Sequence, residues 1–175
     1  FFVATSVLGT GDHALIEHTN YSTNLETPRL LGAQVDPIEL RIEDGYRLDV
    51  ERVAAMVRPT TRLISVTTPH NPTGVDLTLD ELHALVELAE RHDCWLLVDE
   101  TYREMARPEP LPVAASLSPR AISVSSMSKT YGLPGLRLGW VVNRDPALAE
   151  TLLAAKEQIV ICGSTLDESA SAQVL

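Results

Sequence analysis

A lysine with hydroxyl groups and a guanidinium close to it in the chain is the most reactive combination in this sequence. Residues 125–140 read SSMSKTYGLPGLRLGW, with Lys129 beside Ser126 and Ser128 and eight residues before Arg137. Arginine forms bidentate, charge-assisted hydrogen bonds to phosphate, and serine hydroxyls donate from short side chains. A partly desolvated lysine near fixed positive charge loses its proton more easily, as a Schiff-base nucleophile must. The segment predicts a phosphate site beside a nucleophilic lysine, although any one of these residues could be an ordinary solvated side chain.

Two more polar segments follow apolar runs. Residues 68–74 read TPHNPTG, in which two prolines restrict the backbone and leave Asn71 in a rigid setting. The apolar run 95–98 ends at Asp99, and Tyr102 follows it. A carboxylate at the tip of a buried strand is costly unless it is paired, so we expect Asp99 to have a partner. The alternatives are a stiff connector in which Asn71 caps its own turn, and a helix cap or internal salt bridge made by Asp99.

The elements that must position these segments follow an α/β pattern, because short apolar runs alternate with amphipathic stretches. The clearest helix covers Leu79–Glu90 and begins with a capping box of Thr78 and Glu81. Strands are predicted at residues 63–67, 95–99, 121–125 and 138–142. The run 95–98 has the continuous apolar character of a strand that is buried on both faces of a parallel sheet. Only twelve residues, with two glycines and a proline, separate the last two strands, so the final strand should run antiparallel.

Prolines punctuate the segment that follows Asp99, which predicts a surface loop rather than a domain linker. They are Pro108, Pro110, Pro112 and Pro119. The apolar run and the two acidic residues after it also resemble the magnesium-binding strand of a P-loop ATPase. The chain contains no GxxxxGK[ST] string, so that interpretation lacks its phosphate cradle.

Composition excludes several classes of protein. The 175 residues are 45% hydrophobic and carry a net charge of −10, so we expect neither nucleic acid nor a membrane surface as a partner. No run approaches the eighteen apolar residues of a membrane span. Cys94 and Cys162 are too isolated to form a zinc site or a redox pair, which favours a reducing, cytoplasmic location.

Taken together, the three polar segments resemble the fold-type I pyridoxal-phosphate enzymes, specifically the class I and II aminotransferase family. The resemblance covers nearly the whole chain in order and spacing. It implies a three-layer α/β/α fold with a mixed, mostly parallel sheet, which is the large domain of such transferases, and pyridoxal 5'-phosphate as cofactor. The implied function is transfer of an amino group between an amino acid and a 2-oxo acid through a Lys129 Schiff base.

The resemblance also implies a role for each matching residue. Lys129 would carry the proton between the substrate α-carbon and the cofactor, and Asp99 would pair with the pyridine nitrogen. The residues that would contact the rest of the cofactor are Tyr102 and Asn71 at its phenolic oxygen, and Ser126, Ser128 and Arg137 at its phosphate. Tyr21 falls where the family places a ring that stacks on the cofactor, but its surroundings, HTNYS, depart from the usual Pro-x-Tyr-Pro pattern.

Members of the family are more than twice this long and act as dimers. We therefore expect residues 1–175 to be part of the cofactor-binding large domain, without the N-terminal arm and the C-terminal small domain. The full-length protein should be a homodimer, and the isolated chain should not turn over substrate.

Two other functions remain open at this point. The same cofactor supports cyclisation or elimination, as in amino-acid cyclases and lyases of the capreomycidine synthase kind. A non-catalytic regulatory domain that binds the cofactor is the other alternative, and the presence of Lys129 does not exclude it.

Overall fold

In the computed structural model, which describes residues 1–105 and 109–175, six strands form one sheet. The strands are β1 (His13–His18), β2 (Gln34–Glu39), β3 (Thr61–Thr67), β4 (Trp95–Asp99), β5 (Ala121–Ser126) and β6 (Gly139–Val142). The α-helices are α1 (Phe2–Val7), α2 (Ser22–Leu30), α3 (Val50–Met56), α4 (Leu79–Arg91), α5 (Pro146–Ile159) and α6 (Thr165–Ser171). Pro108 of the proline-punctuated loop lies outside the described residues.

The sheet has the strand order β2-β1-β3-β4-β5-β6. The first five strands in this order pair in parallel, whereas β5 and β6 pair antiparallel. The expectation of an antiparallel last strand is therefore confirmed. The physical reason is the short connection, which lacks the length for a crossover helix and instead contains only one 3₁₀ turn, Pro134–Leu136.

Helices pack on both faces of the sheet through apolar side chains, which gives the fold three layers. One face packs on α3 and α4 through a cluster that includes Val53, Leu85, Ile64 and Leu96. The opposite face packs on α1, α2 and α5 through two smaller clusters. The expected α/β/α arrangement is confirmed.

Helix α4 shows why the local sequence folds as it does. The Thr78 hydroxyl accepts a hydrogen bond from the Glu81 amide at 3.2 Å, and the Glu81 carboxylate accepts one from the Thr78 amide at 2.6 Å. This is the capping box predicted from the sequence. The buried stripe of Leu82, Leu85 and Ala89 then fixes the helix on the sheet.

Strand β4 differs from expectation on one face. Leu96 and Val98 are fully buried against α4, but Trp95 and Leu97 are only half-buried. The prediction of complete burial on both faces is wrong, because a cavity of about 170 Å³ lies beside Leu97 on the side of α1 and α2.

In the described part of the chain, no helix combines the length and apolarity that crossing a membrane would require.

Candidate functional site

The three polar segments lie at one edge of the sheet, at the carboxyl ends of β3, β4 and β5. Thr67, the last residue of β3, pairs in register with Asp99, and Asp99 pairs with Val124 of β5. The Thr68 amide donates to the Asp99 carbonyl at 3.0 Å and extends this alignment past the strand ends. In α/β sheets this edge is the usual place for a ligand, because loops converge there.

Asp99 keeps its carboxylate near the chain's own backbone. Its Oδ1 accepts a hydrogen bond from the Thr101 amide at 3.0 Å, which attaches the carboxylate to the turn after β4 rather than to a helix N-terminus. Among the residues that the structure describes, no cation lies within salt-bridge distance of Asp99. The half-buried carboxylate borders the cavity beside α2 and still lacks the positive partner that its burial favours.

Asn71 and Tyr102 come together from different segments. Both line a cavity of about 480 Å³, together with Pro69 and His70. The amide of Asn71 is exposed, and no side-chain hydrogen bond of Asn71 occurs within the described ranges. Its polar group is therefore available to a ligand beside the Tyr102 hydroxyl.

The lysine segment is fixed to the turn after Asp99. The Thr130 hydroxyl donates to the Thr101 carbonyl at 3.0 Å, and the Met127 amide donates to the Leu138 carbonyl at 3.0 Å. Met127 is completely buried, whereas Lys129 is exposed. The expectation that Lys129 is partly desolvated is not met in this chain by itself, where Lys129 is exposed and the buried residue of the loop is Met127.

The residues expected at a phosphate group flank the same loop. Ser126 ends β5 and its hydroxyl accepts a hydrogen bond from the Ser128 amide at 3.3 Å. Arg137 is exposed, has a left-handed backbone with φ of 50°, and donates from Nη1 to the Pro134 carbonyl at 2.7 Å. Gly139 lets β6 approach this loop, since a Cβ atom there would lie 2.9 Å from the Ser125 carbonyl oxygen.

Tyr21 is the N-cap residue of α2 and is 66% exposed. The Asn20 side chain organises the backbone around it. Asn20 Oδ1 accepts from the Tyr21 amide at 2.7 Å and from Asn24 Nδ2 at 2.9 Å, while Asn20 Nδ2 donates to the Thr67 hydroxyl at 3.3 Å. The segment that carries Tyr21 is thereby attached to the end of β3.

The predicted residues thus share one edge of the sheet but do not form one enclosed pocket in this chain. Asn71 and Tyr102 share a cavity, Asp99 lines a second, and Arg137 lines a third of about 650 Å³ on the side of α5. Tyr21 and Lys129 are exposed. Within the described ranges there is no cluster of histidine, cysteine or carboxylate groups suited to a metal ion.

Glu17 and His70 are buried titratable residues at this edge that were not predicted from the sequence. Glu17 of β1 is 1% exposed and His70 is 4% exposed. Glu17 Oε2 accepts a hydrogen bond from the Thr67 amide at 2.6 Å and lies 3.9 Å from His70 Nε2. Burial, assisted by the negative charge of Asp99, raises the pKa of Glu17 to about 8. The only sequence signal was a single acidic residue at the end of the apolar run ALI.

The chain resembles known proteins in sequence and in fold. Residues 2–175 match the family model described as aminotransferase class I and II. The chain is 34% identical over 168 residues to an arginine–pyruvate transaminase of Pseudomonas aeruginosa, which covers 93% of this chain and 41% of that protein. It is 32% identical over 143 residues to capreomycidine synthase of Streptomyces vinaceus, covering 81% of this chain and 36% of that protein.

The fold agrees with a solved structure at similar sequence identity. A PLP-dependent aminotransferase from Streptococcus suis matches with a TM-score of 0.90 and 32% identity, over 99% of this chain and 46% of that one. The chain therefore spans less than half the length of these relatives. Because the family model covers nearly every residue and the fold agrees, the chain belongs to the class I and II aminotransferase family.

Proposed function

We propose that this chain supplies the pyridoxal 5'-phosphate-binding part of an aminotransferase, which moves an amino group from an amino acid to a 2-oxo acid. The observation that carries the proposal is the placement of Asn71, Asp99 and Lys129 on three adjacent segments at one edge of a sheet of this family. When bound, the cofactor supplies an electron sink for bonds at the substrate α-carbon.

The Asp99 carboxylate, which has no cationic partner among the residues that the structure describes, supports the fit of this cofactor. A half-buried anion with one backbone donor gains most from a cationic partner, and a protonated pyridine nitrogen is such a partner. Asp99 would hold the proton on that nitrogen. Asn71 and Tyr102, which line one cavity, would donate to the phenolic oxygen of the cofactor.

The lysine segment suits the other end of the cofactor. Arg137 would pair with the phosphate dianion, and Ser126 and Ser128 would donate their hydroxyl hydrogens to it. Lys129 would hold the cofactor covalently in the resting protein and, as a free amine once released, would move a proton at the substrate α-carbon. Its exposure leaves the amine free to reach the ring. Tyr21 would cover one face of the ring.

Several wider features are also part of the proposal. Residues 1–175 would be a portion of the large domain, and the full-length protein would be a cytoplasmic homodimer. The relatives of more than twice this length support a longer protein.

A half-reaction tests the proposed chemistry. Full-length protein loaded with the cofactor is mixed with single amino acids in the absence of an acceptor. Amino transfer predicts one equivalent of 2-oxo acid and conversion of the cofactor to its amine form, which absorbs at shorter wavelength. Lys129→Ala should abolish the conversion, and Lys156→Ala, an exposed lysine of α5, should retain it.

The relative capreomycidine synthase favours a second candidate, a cyclase or lyase that uses the same residues. This candidate predicts a new cyclic product, or an elimination product together with free ammonia, and no conversion of the cofactor to its amine form. Either result from the half-reaction therefore decides between the two chemistries.

A further inference from the structure

His70 is a buried residue inside an exposed loop, and the proposed function gives it no role. Its neighbour Asn71 is exposed, yet the His70 side chain is 3% exposed. A polar ring that is buried in this way must satisfy both nitrogens or lose stability.

Both ring nitrogens have partners in neighbouring segments. His70 Nε2 lies 2.9 Å from the Thr19 carbonyl oxygen, and His70 Nδ1 lies 2.8 Å from the Thr73 hydroxyl. A carbonyl can only accept, so Nε2 must carry the proton. Burial lowers the pKa of His70, which keeps the ring neutral and leaves Nδ1 to accept from Thr73.

The backbone of His70 makes the loop a rigid unit. Its amide donates to the Val75 carbonyl at 2.9 Å, and its carbonyl accepts from the Gly74 amide at 2.7 Å. Thr73, which holds Nδ1, also accepts from the Val75 amide at 3.3 Å. The orientation of the ring and the position of Asn71 are therefore set by the same closed turn.

At its other end, the ring holds the segment that carries Tyr21. Thr19, whose carbonyl accepts from Nε2, is two residues before Tyr21, and Asn20 attaches the same segment to Thr67. The buried carboxyl group of Glu17 lies 3.9 Å from Nε2. His70 is thus the side chain that links the Tyr21 segment to the Asn71 loop.

We propose that His70 is a positioning residue that holds Asn71 and Tyr21 at a fixed separation across the cofactor site. The role rests on the proposed function, because Asn71 and Tyr21 matter only if the cofactor binds between them. His70 itself does not touch the reacting atoms. Its effect is transmitted through the Thr19 carbonyl on one side and the closed turn on the other.

The test uses the visible absorption band of the bound cofactor in the full-length holoenzyme. Asn71 would donate to the phenolic oxygen and favour its anionic form, so displacing Asn71 should raise the pH midpoint of the band. His70→Ala is expected to raise the midpoint by about half to one pH unit and to weaken cofactor binding by about fivefold to tenfold. A change that only destabilised the fold would not move the midpoint.

Two further variants and a control sharpen the result. His70→Gln can still donate to the Thr19 carbonyl and should restore most of the wild-type midpoint. Thr73→Val removes the partner of Nδ1 and should shift the midpoint in the same direction, which preserves the test if His70→Ala does not fold. His83→Ala, on the exposed side of α4, should leave the midpoint unchanged.

The coupling to Asn71 provides the decisive comparison. If His70 acts through Asn71, the effects of His70→Ala and Asn71→Ala on the midpoint should be clearly less than additive in the double variant. Full additivity, or a wild-type midpoint in both His70→Ala and Thr73→Val, overturns the role of His70 alone. A wild-type protein that takes up no cofactor overturns the proposed function, and this role with it.

Discussion

Glu17→Gln should make the protein more stable at alkaline pH. Glu17 has an ordinary pKa of 4.5, and burial raises it to about 8 in the folded chain. Between these two values the folded protein holds a proton that the unfolded chain releases. Stability conferred by the protonated form is therefore complete below pH 4.5 and is lost as the pH rises through 8.

The size of the effect follows from proton linkage. Each pH unit in this window costs the folded state about 1.4 kcal/mol, because one proton is taken up on folding. Between pH 6 and pH 9 only the two units up to pH 8 contribute, so wild-type Glu17 costs about 3 kcal/mol more at pH 9. Glutamine cannot ionise, and its side-chain oxygen can still accept from the Thr67 amide.

Urea unfolding of the full-length protein without cofactor measures this difference. The free energy of unfolding of Glu17→Gln minus that of wild type should increase by about 3 kcal/mol between pH 6 and pH 9. The other ionisable groups are the same in both proteins and cancel in the comparison. Glu87→Gln, which changes an exposed carboxylate on α4, is the matched control and should show no such increase. An equal pH dependence of wild type and Glu17→Gln would refute the assignment of a buried, protonated Glu17.

Three more substitutions test the elements that position the site. Gly139→Ala brings a Cβ atom against the Ser125 carbonyl and should lower the free energy of unfolding by about 1–3 kcal/mol. Gly135→Ala is the control, because a Cβ atom at Gly135 would meet open space. Urea titration measures the free energy of unfolding of both variants. Thr78→Ala removes the cap of α4 and should lower the free energy of unfolding by about 1 kcal/mol. Circular dichroism should show an unchanged spectrum of the folded protein and a lower midpoint of thermal unfolding. Arg137→Ala should weaken cofactor binding by about tenfold to a hundredfold in a fluorescence titration, with Arg137→Lys intermediate, and an unchanged affinity would contradict its role at the phosphate.

The fold was predictable where the information is local. The capping box of Thr78 and Glu81 spans four residues, and its pattern specifies the start of α4 before any tertiary contact is known. The direction of β6 likewise follows from the length of one connection. Incomplete burial of Leu97 could not be read from the apolar run, because it depends on how α1 and α2 cover a sheet that is remote in sequence.

The candidate site was predictable in its residue types but not in its arrangement. Lys129 was expected to be partly desolvated, and it is exposed, since the buried anchor of its loop is Met127 two residues earlier. The contacts of His70 and Glu17 join residues 50 or more positions apart, at Thr19 and Thr67. No spacing within a short segment could indicate them, because they exist only once β1 and β3 are paired.

Lys129 is the residue proposed to bind the cofactor covalently. The most direct measurement is borohydride reduction of the full-length protein loaded with pyridoxal 5'-phosphate, followed by peptide mass mapping. The sequence contains two lysines, Lys129 and Lys156, so the exposed Lys156 is an internal control within the same sample. A pyridoxyl label on the Lys129 peptide and none on the Lys156 peptide is the predicted result. An unlabelled Lys129, or equal labelling of both lysines, would contradict the account.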